Sequence, residues 1–179
     1  GGAVGGAMVT VIVAGLWLAV WAVALGRRRA DYSHRRDTIS ELGEVGARDQ
    51  RLVAFGLFAP VGAAAGVVAL LAESTGSRLV AASFAVGYLV AAVAPCDPGC
   101  PPRGSTRNTV HVIAGVAEYL GILVGLVVLA ASVSPWHAIP AGVMALAIVG
   151  SAAAAQRGFG GAVQRAAEAT AALALLVSL

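Results

Sequence analysis

His111 and Glu118 stand seven residues apart inside an otherwise apolar run, Val110 to Ser132. Seven residues are two turns of an α-helix, so the two side chains fall on nearly the same face, with Glu118 roughly 10 Å further along the axis. An imidazole and a carboxyl group so placed can relay protons or hold a metal ion. Asp37 and Asp97, in the polar segments upstream, add two more carboxylates, and these four residues are the candidates for acid–base catalysis. Cys96 and Cys100 lie in a turn rich in proline and glycine and allow three readings. They form a small disulfide loop if they face an oxidising compartment. They ligate a metal together with His111 or His34, with Asp97 as an oxygen donor. Or they are free thiols in a structured turn. The three-residue spacing, rather than the commoner two, makes the metal signal weak, two cysteines are too few for a disulfide framework, and the cofactor is left open. Neither a nucleophile elbow nor a glycine-rich phosphate loop is present, and the adjacency of Ser33 and His34 is not by itself a catalytic pair.

The elements that must position these groups follow from composition. Of the 179 residues 59% are hydrophobic and 12% charged, against roughly 25% charged in an ordinary soluble domain. Such a chain needs a bilayer as its solvent. Crossing one takes roughly 20 mostly apolar residues per helix, and six runs qualify: about 1–26, 52–72, 79–94, 110–132, 138–155 and 163–179. The expectation is an all-α membrane protein, one domain over 1–179, built as a compact bundle of about six transmembrane helices. The first run is not a signal peptide, because its arginines follow the apolar stretch rather than precede it. All 12 cationic residues are arginine. Eleven of them lie in or beside the first, third and fifth loops, and Arg78 alone lies opposite. The positive-inside rule therefore places loops 27–50 and 95–109 in the cytoplasm, in a multi-pass protein of the cell membrane. Membrane lipids are the expected partners and nucleic acid is not; the oligomeric state is left open.

Local patterns add detail. Thr38-Ile39-Ser40-Glu41 has the spacing of a capping box, and Ile39, Leu42 and Val45 recur at three-residue intervals, which predicts a short interfacial helix in the first loop. Gly62/Gly66, Gly121/Gly125, Gly1/Gly5 and Gly2/Gly6 are small-residue pairs at helical spacing, suited to close intramolecular packing of helices in lipid. Arg165 three residues before Glu168 reads as a local helix pair. His137 beside Trp136 reads as an interfacial anchor.

Three motifs carry a resemblance: Asp31-Tyr32-Ser33-His34-Arg35-Arg36-Asp37-Thr38-Ile39-Ser40-Glu41-Leu42-Gly43 after the first run, Pro95-Cys96-Asp97-Pro98-Gly99-Cys100-Pro101 after the third, and His111-Val112-Ile113-Ala114-Gly115 opening the fourth. In that order, over nearly the whole chain, they resemble the domain-of-unknown-function 998 family of prokaryotic polytopic membrane proteins. Arg35 stands where many members carry an aliphatic side chain. The resemblance implies a six-span protein with no assigned activity, and it marks Ser33, His34, Asp37, Ser40, Glu41, Cys96, Asp97, Cys100 and His111 as positions of interest. Of these, Ser33, His34, Ser40 and Glu41 are the substrate-contact candidates. On the arginine-based topology all three motifs share one membrane face. His111 and Glu118 would then line a polar pocket roofed by Asp37, Glu41 and Asp97 that binds or modifies a lipid-like substrate. The alternatives are a small transporter or channel subunit and a non-catalytic receptor or scaffold; whether the protein is an enzyme is left open.

Overall fold

The computed structural model describes residues 2–179; Gly1, one half of the Gly1/Gly5 pair, lies outside the described residues. Seven α-helices form it: α1 (Gly2–Arg27), α2 (Ile39–Leu42), α3 (Gln50–Leu71), α4 (Thr75–Val93), α5 (Thr106–Ser132), α6 (Ala138–Gln156) and α7 (Gly160–Ser178). All but the one-turn α2 have a length suited to a bilayer. Five of these six are also apolar enough to cross it, while α7 carries Gln164, Arg165 and Glu168 in its first half. The outer surface is built of large apolar side chains, with Leu70 and Val149 each 83% exposed. Only lipid tolerates so continuous an apolar exterior.

The six long helices pack in chain order as a ring. α1 lies on α3, α3 on α4, α4 on α5, α5 on α6 and α6 on α7; α7 returns to α1 through a thin contact. Small residues make these approaches close. A side chain on Gly62 would crowd the Leu89 backbone, and one on Gly125 would come within 2.9 Å of the Gly76 carbonyl. The expected glycine pairs in α3 and α5 thus pack against α4. The pairs at the start of α1 do not: Gly2, Gly5 and Gly6 have nothing within 4 Å of where a side chain would begin. In α1 the first half buries Ala7 and the last two turns bury Ala22, Leu25 and Gly26.

One irregularity has a covalent origin. Val53–Phe58 form a π-helical turn inside α3, just before Pro60. In α-helical register the Gly56 carbonyl would be paired by residue 60, and proline has no N–H to give and crowds that carbonyl. The Trp17 indole of α1 supplies the missing donor, Nε1 to Gly56 O at 2.9 Å.

The first loop folds inward. Ile39 and Leu42 of α2 are buried in the core, so the helix is plugged into the end of the bundle. The expected capping box does not form, because the Thr38 hydroxyl makes no capping bond. Gln164 of α7 takes that role, its Oε1 accepting from the Ile39 N–H at 2.7 Å. The first loop also joins the third through Val45 N–H to Cys96 O at 2.9 Å and Gly99 N–H to Glu44 Oε2 at 2.6 Å.

Candidate functional site

A cavity of about 490 Å³ lies between α1 and α7, backed by α3 and α4. Its length is apolar, walled by Ala14, Leu18, Val61, Ala65, Phe84 and Ala172 among others. Five polar side chains line it: Thr10, His34, Tyr88, Arg165 and Glu168. The volume falls within the roughly 300–1,000 Å³ of small-molecule pockets.

Arg165 sits one turn into α7 and ties the first loop down. Its Nη1 donates to the carbonyls of His34 (2.7 Å), Asp37 (2.9 Å) and Gly161 (3.0 Å), and its Nη2 donates to the Tyr32 hydroxyl. Tyr32 donates in turn to Thr38 O at 2.9 Å, and burial pushes its phenol up to about 12, so it stays protonated. Every one of these acceptors is neutral. Among the described residues no carboxylate pairs with Arg165, and the expected pairing with Glu168 does not form. The guanidinium is drawn to the loop carbonyls instead.

His34 lies beside it. Arg165 Nη2 is 3.3 Å from His34 Nδ1, and because a guanidinium can only donate, Nδ1 is the acceptor and Nε2 carries the proton. That Nε2–H is buried and has no partner among the described residues. Burial, with Arg165 and Arg27 nearby, holds His34 below the usual imidazole range and hence neutral at pH 7. The polar end of the cavity therefore holds a cation that makes no ion pair among the described residues and an N–H donor without a partner there.

Deeper in the bundle, Glu168 is 5% exposed and accepts from Tyr88 Oη (2.5 Å) and Tyr119 Oη (3.2 Å). Glu118, 7% exposed, packs flat on Gly87, where any side chain would collide with its carboxyl group. Its Oε1 has no partner among the described residues. Two carboxyl groups and two phenols thus occupy one interior layer between α4, α5 and α7.

The other residues singled out in the sequence are placed as follows. Asp37 accepts from Ser33 N–H (2.7 Å) and from Arg36. Burial opposes its ionisation, but Arg36 and the Ser33 amide outweigh it and hold the carboxyl below its ordinary range. Ser40 contributes its backbone carbonyl, which accepts from Gly43 and lies 3.7 Å from Cys96 Sγ. Burial, with Asp37 and Glu44 nearby, pushes the Glu41 carboxyl up to about 7. Asp97 accepts from Ser105 N–H (2.7 Å), Ser105 Oγ (2.8 Å) and Arg107 (3.2 Å), contacts that hold it below the usual carboxylate range and fasten the third loop to α5. Cys96 and Cys100 are joined by a disulfide. His111 shares their corner, its Nδ1 2.9 Å from Ala94 O. His137 is stacked on Trp136 and buried.

Of the expected residues, His34 alone lines the cavity. Asp37 and Asp97 have their carboxylates committed to shaping loops. Arg165, Glu168 and Tyr88 were not among the candidates. The signal for Arg165 was present in the sequence: an arginine only two residues into the last apolar run needs acceptors, and a nearby glutamate is not the one sterically available.

Residues 12–179 match the family described as "Protein of unknown function (DUF998)", and the chain belongs to it. No curated protein and no solved structure matches the chain.

Proposed function

We propose that this DUF998 membrane protein binds a single lipid-like amphiphile with an anionic head group in the cavity between α1 and α7. The observation that carries this reading is the cavity's polarity: an apolar shaft ending at Arg165, which makes no ion pair among the described residues, beside His34, whose Nε2–H has no partner there. A half-buried cation without an ion-pair partner favours an arriving anion. An acyl or isoprenoid-like chain would replace empty space along Ala14, Ala65 and Ala172 with dispersion contacts. The arginine asymmetry of the loops supports placing this polar end, with loops 27–50 and 95–109, at the cytoplasmic face.

The test is native mass spectrometry of protein purified in detergent. Wild type is expected to retain a bound anionic lipid. Ala172→Phe fills the shaft and is expected to remove the lipid while leaving thermal stability intact. Arg165→Gln is expected to lose preference for anionic over zwitterionic lipid. Equal lipid content and head-group preference in wild type and both variants would reject the site. A carrier reading draws on the Glu118 and Glu168 carboxyl layer beside the cavity, since membrane-buried acids often serve proton-linked movement. Movement of a labelled anionic lipid between leaflets of reconstituted vesicles, abolished by Glu168→Gln, would distinguish a carrier from a binder.

A further inference from the structure

The corner formed by Cys96, Cys100 and His111 takes no part in the cavity, and its geometry points to a second chemistry. The two sulfurs and an imidazole nitrogen lie within 4.8 Å of one another. On the orientation given above they face the cytoplasm, where a disulfide does not persist and the pair is reduced. We propose that the reduced Cys96/Cys100 pair and His111 form a binding site for a thiophilic divalent ion of the zinc class, of which the disulfide is the oxidised, metal-free form.

Four features support the assignment. The carbonyl of Ala94 can only accept, so the 2.9 Å contact with His111 Nδ1 fixes the proton there and leaves the lone pair on Nε2. That is the supporting bond characteristic of metal-ligating histidines. Second, the chain adopts left-handed backbone at Gly99 (φ 75°) and again at Cys100 (φ 43°) to bring the second sulfur to the first. For a non-glycine residue this conformation is costly and is kept where a side chain must be aimed. Third, the corner is held from several sides: Cys96 is fully buried and its carbonyl takes Val45 N–H, while Asp97 O takes Cys100 N–H at 2.8 Å. Fourth, the charges balance. Two thiolates and a neutral imidazole around a divalent ion carry no net charge, which suits a half-buried site at the membrane edge. The Asp97 carboxylate is already engaged by Ser105 and Arg107. The fourth position is therefore open to water, the arrangement of exchangeable rather than closed zinc sites.

The interconversion balances with a thiol-class reductant. Two reductant thiols give up two electrons and two protons and become a disulfide, the Cys96–Cys100 bond breaks, and two S–H groups form. Zinc binding then releases both thiol protons to solvent.

The experiment uses full-length protein in detergent, reduced with a phosphine that is then removed, and titrated with zinc against a chromophoric chelator. This measurement does not depend on membrane orientation, so it succeeds or fails independently of the topology. Reduced wild type is expected to hold one zinc per chain and the oxidised protein none. Cys100→Ser and His111→Ala are expected to weaken binding by more than the about 10- to 100-fold typical of losing a supporting contact. Cobalt added to reduced wild type is expected to give a sulfur-to-metal charge-transfer band, a readout that needs no variant. Absence of that band, with zinc uptake by reduced wild type no greater than by Cys100→Ser, would overturn the proposal.

Discussion

Glu41 illustrates how a single residue in the first loop becomes sensitive to pH. Burial, together with the neighbouring carboxylates of Asp37 and Glu44, lifts its carboxyl from 4.5 to about 7. Folding therefore takes up a proton at this position, and the linkage has a definite sign. Below pH 4.5 Glu41 is protonated folded or unfolded and costs nothing. As the pH rises toward 7 the unfolded state ionises freely while the folded state resists, so stability falls across that window and levels off above it. Glu41→Gln is expected to raise the melting temperature in detergent above pH 7, with the gain shrinking to nothing as the pH approaches 4.5. Equal pH dependence in both proteins would show that Glu41 is as well solvated folded as unfolded. The sequence flagged Glu41 as the partner of Thr38 in a cap. It did not show that Gln164, 125 residues away, is the acceptor for the Ile39 amide, because capping patterns report only neighbours along the chain.

At the scale of the element, α3 shows how one proline is accommodated inside a span. Pro60 deprives the Gly56 carbonyl of its donor, the helix widens over Val53–Phe58, and α1 reaches across with Trp17. Lipid offers no replacement donor, so Trp17→Phe is expected to destabilise the bundle by about 1–3 kcal/mol, the cost of a carbonyl left unpaired away from water. Pro60→Ala restores a backbone N–H at that position. The double variant Trp17→Phe/Pro60→Ala is then expected to lose less stability than Trp17→Phe alone, a non-additivity measurable by detergent unfolding. Additive effects would mean that the indole bond and the proline are unrelated. Both residues stand plainly in the sequence, but their relation crosses two helices and depends on which faces meet. The same limit hid the role of Arg165. Its spacing to Glu168 was visible, whereas the first-loop carbonyls that capture it are brought there by the folding of α2 into the bundle.

For the whole molecule, the membrane bundle was legible because hydrocarbon thickness acts on each run of residues separately. The ring order, and the cavity it leaves between the first and last helices, arise from long-range packing that no run encodes. Orientation rests on the arginines alone and can be measured. Single cysteines at Glu73→Cys and Arg103→Cys, each placed in a Cys96→Ser/Cys100→Ser background and treated with a membrane-impermeant maleimide on intact cells, are expected to react from outside only at position 73. The reverse labelling would turn the molecule over and place the disulfide in an oxidising compartment. The position of the cavity has a practical consequence. Its walls are transmembrane helices, so a guest would come from the surrounding oil rather than from water, and its effective concentration is a mole fraction of the bilayer. Occupancy would then follow lipid composition and be diluted by detergent, and an assay that varies only the aqueous concentration would find saturation or nothing.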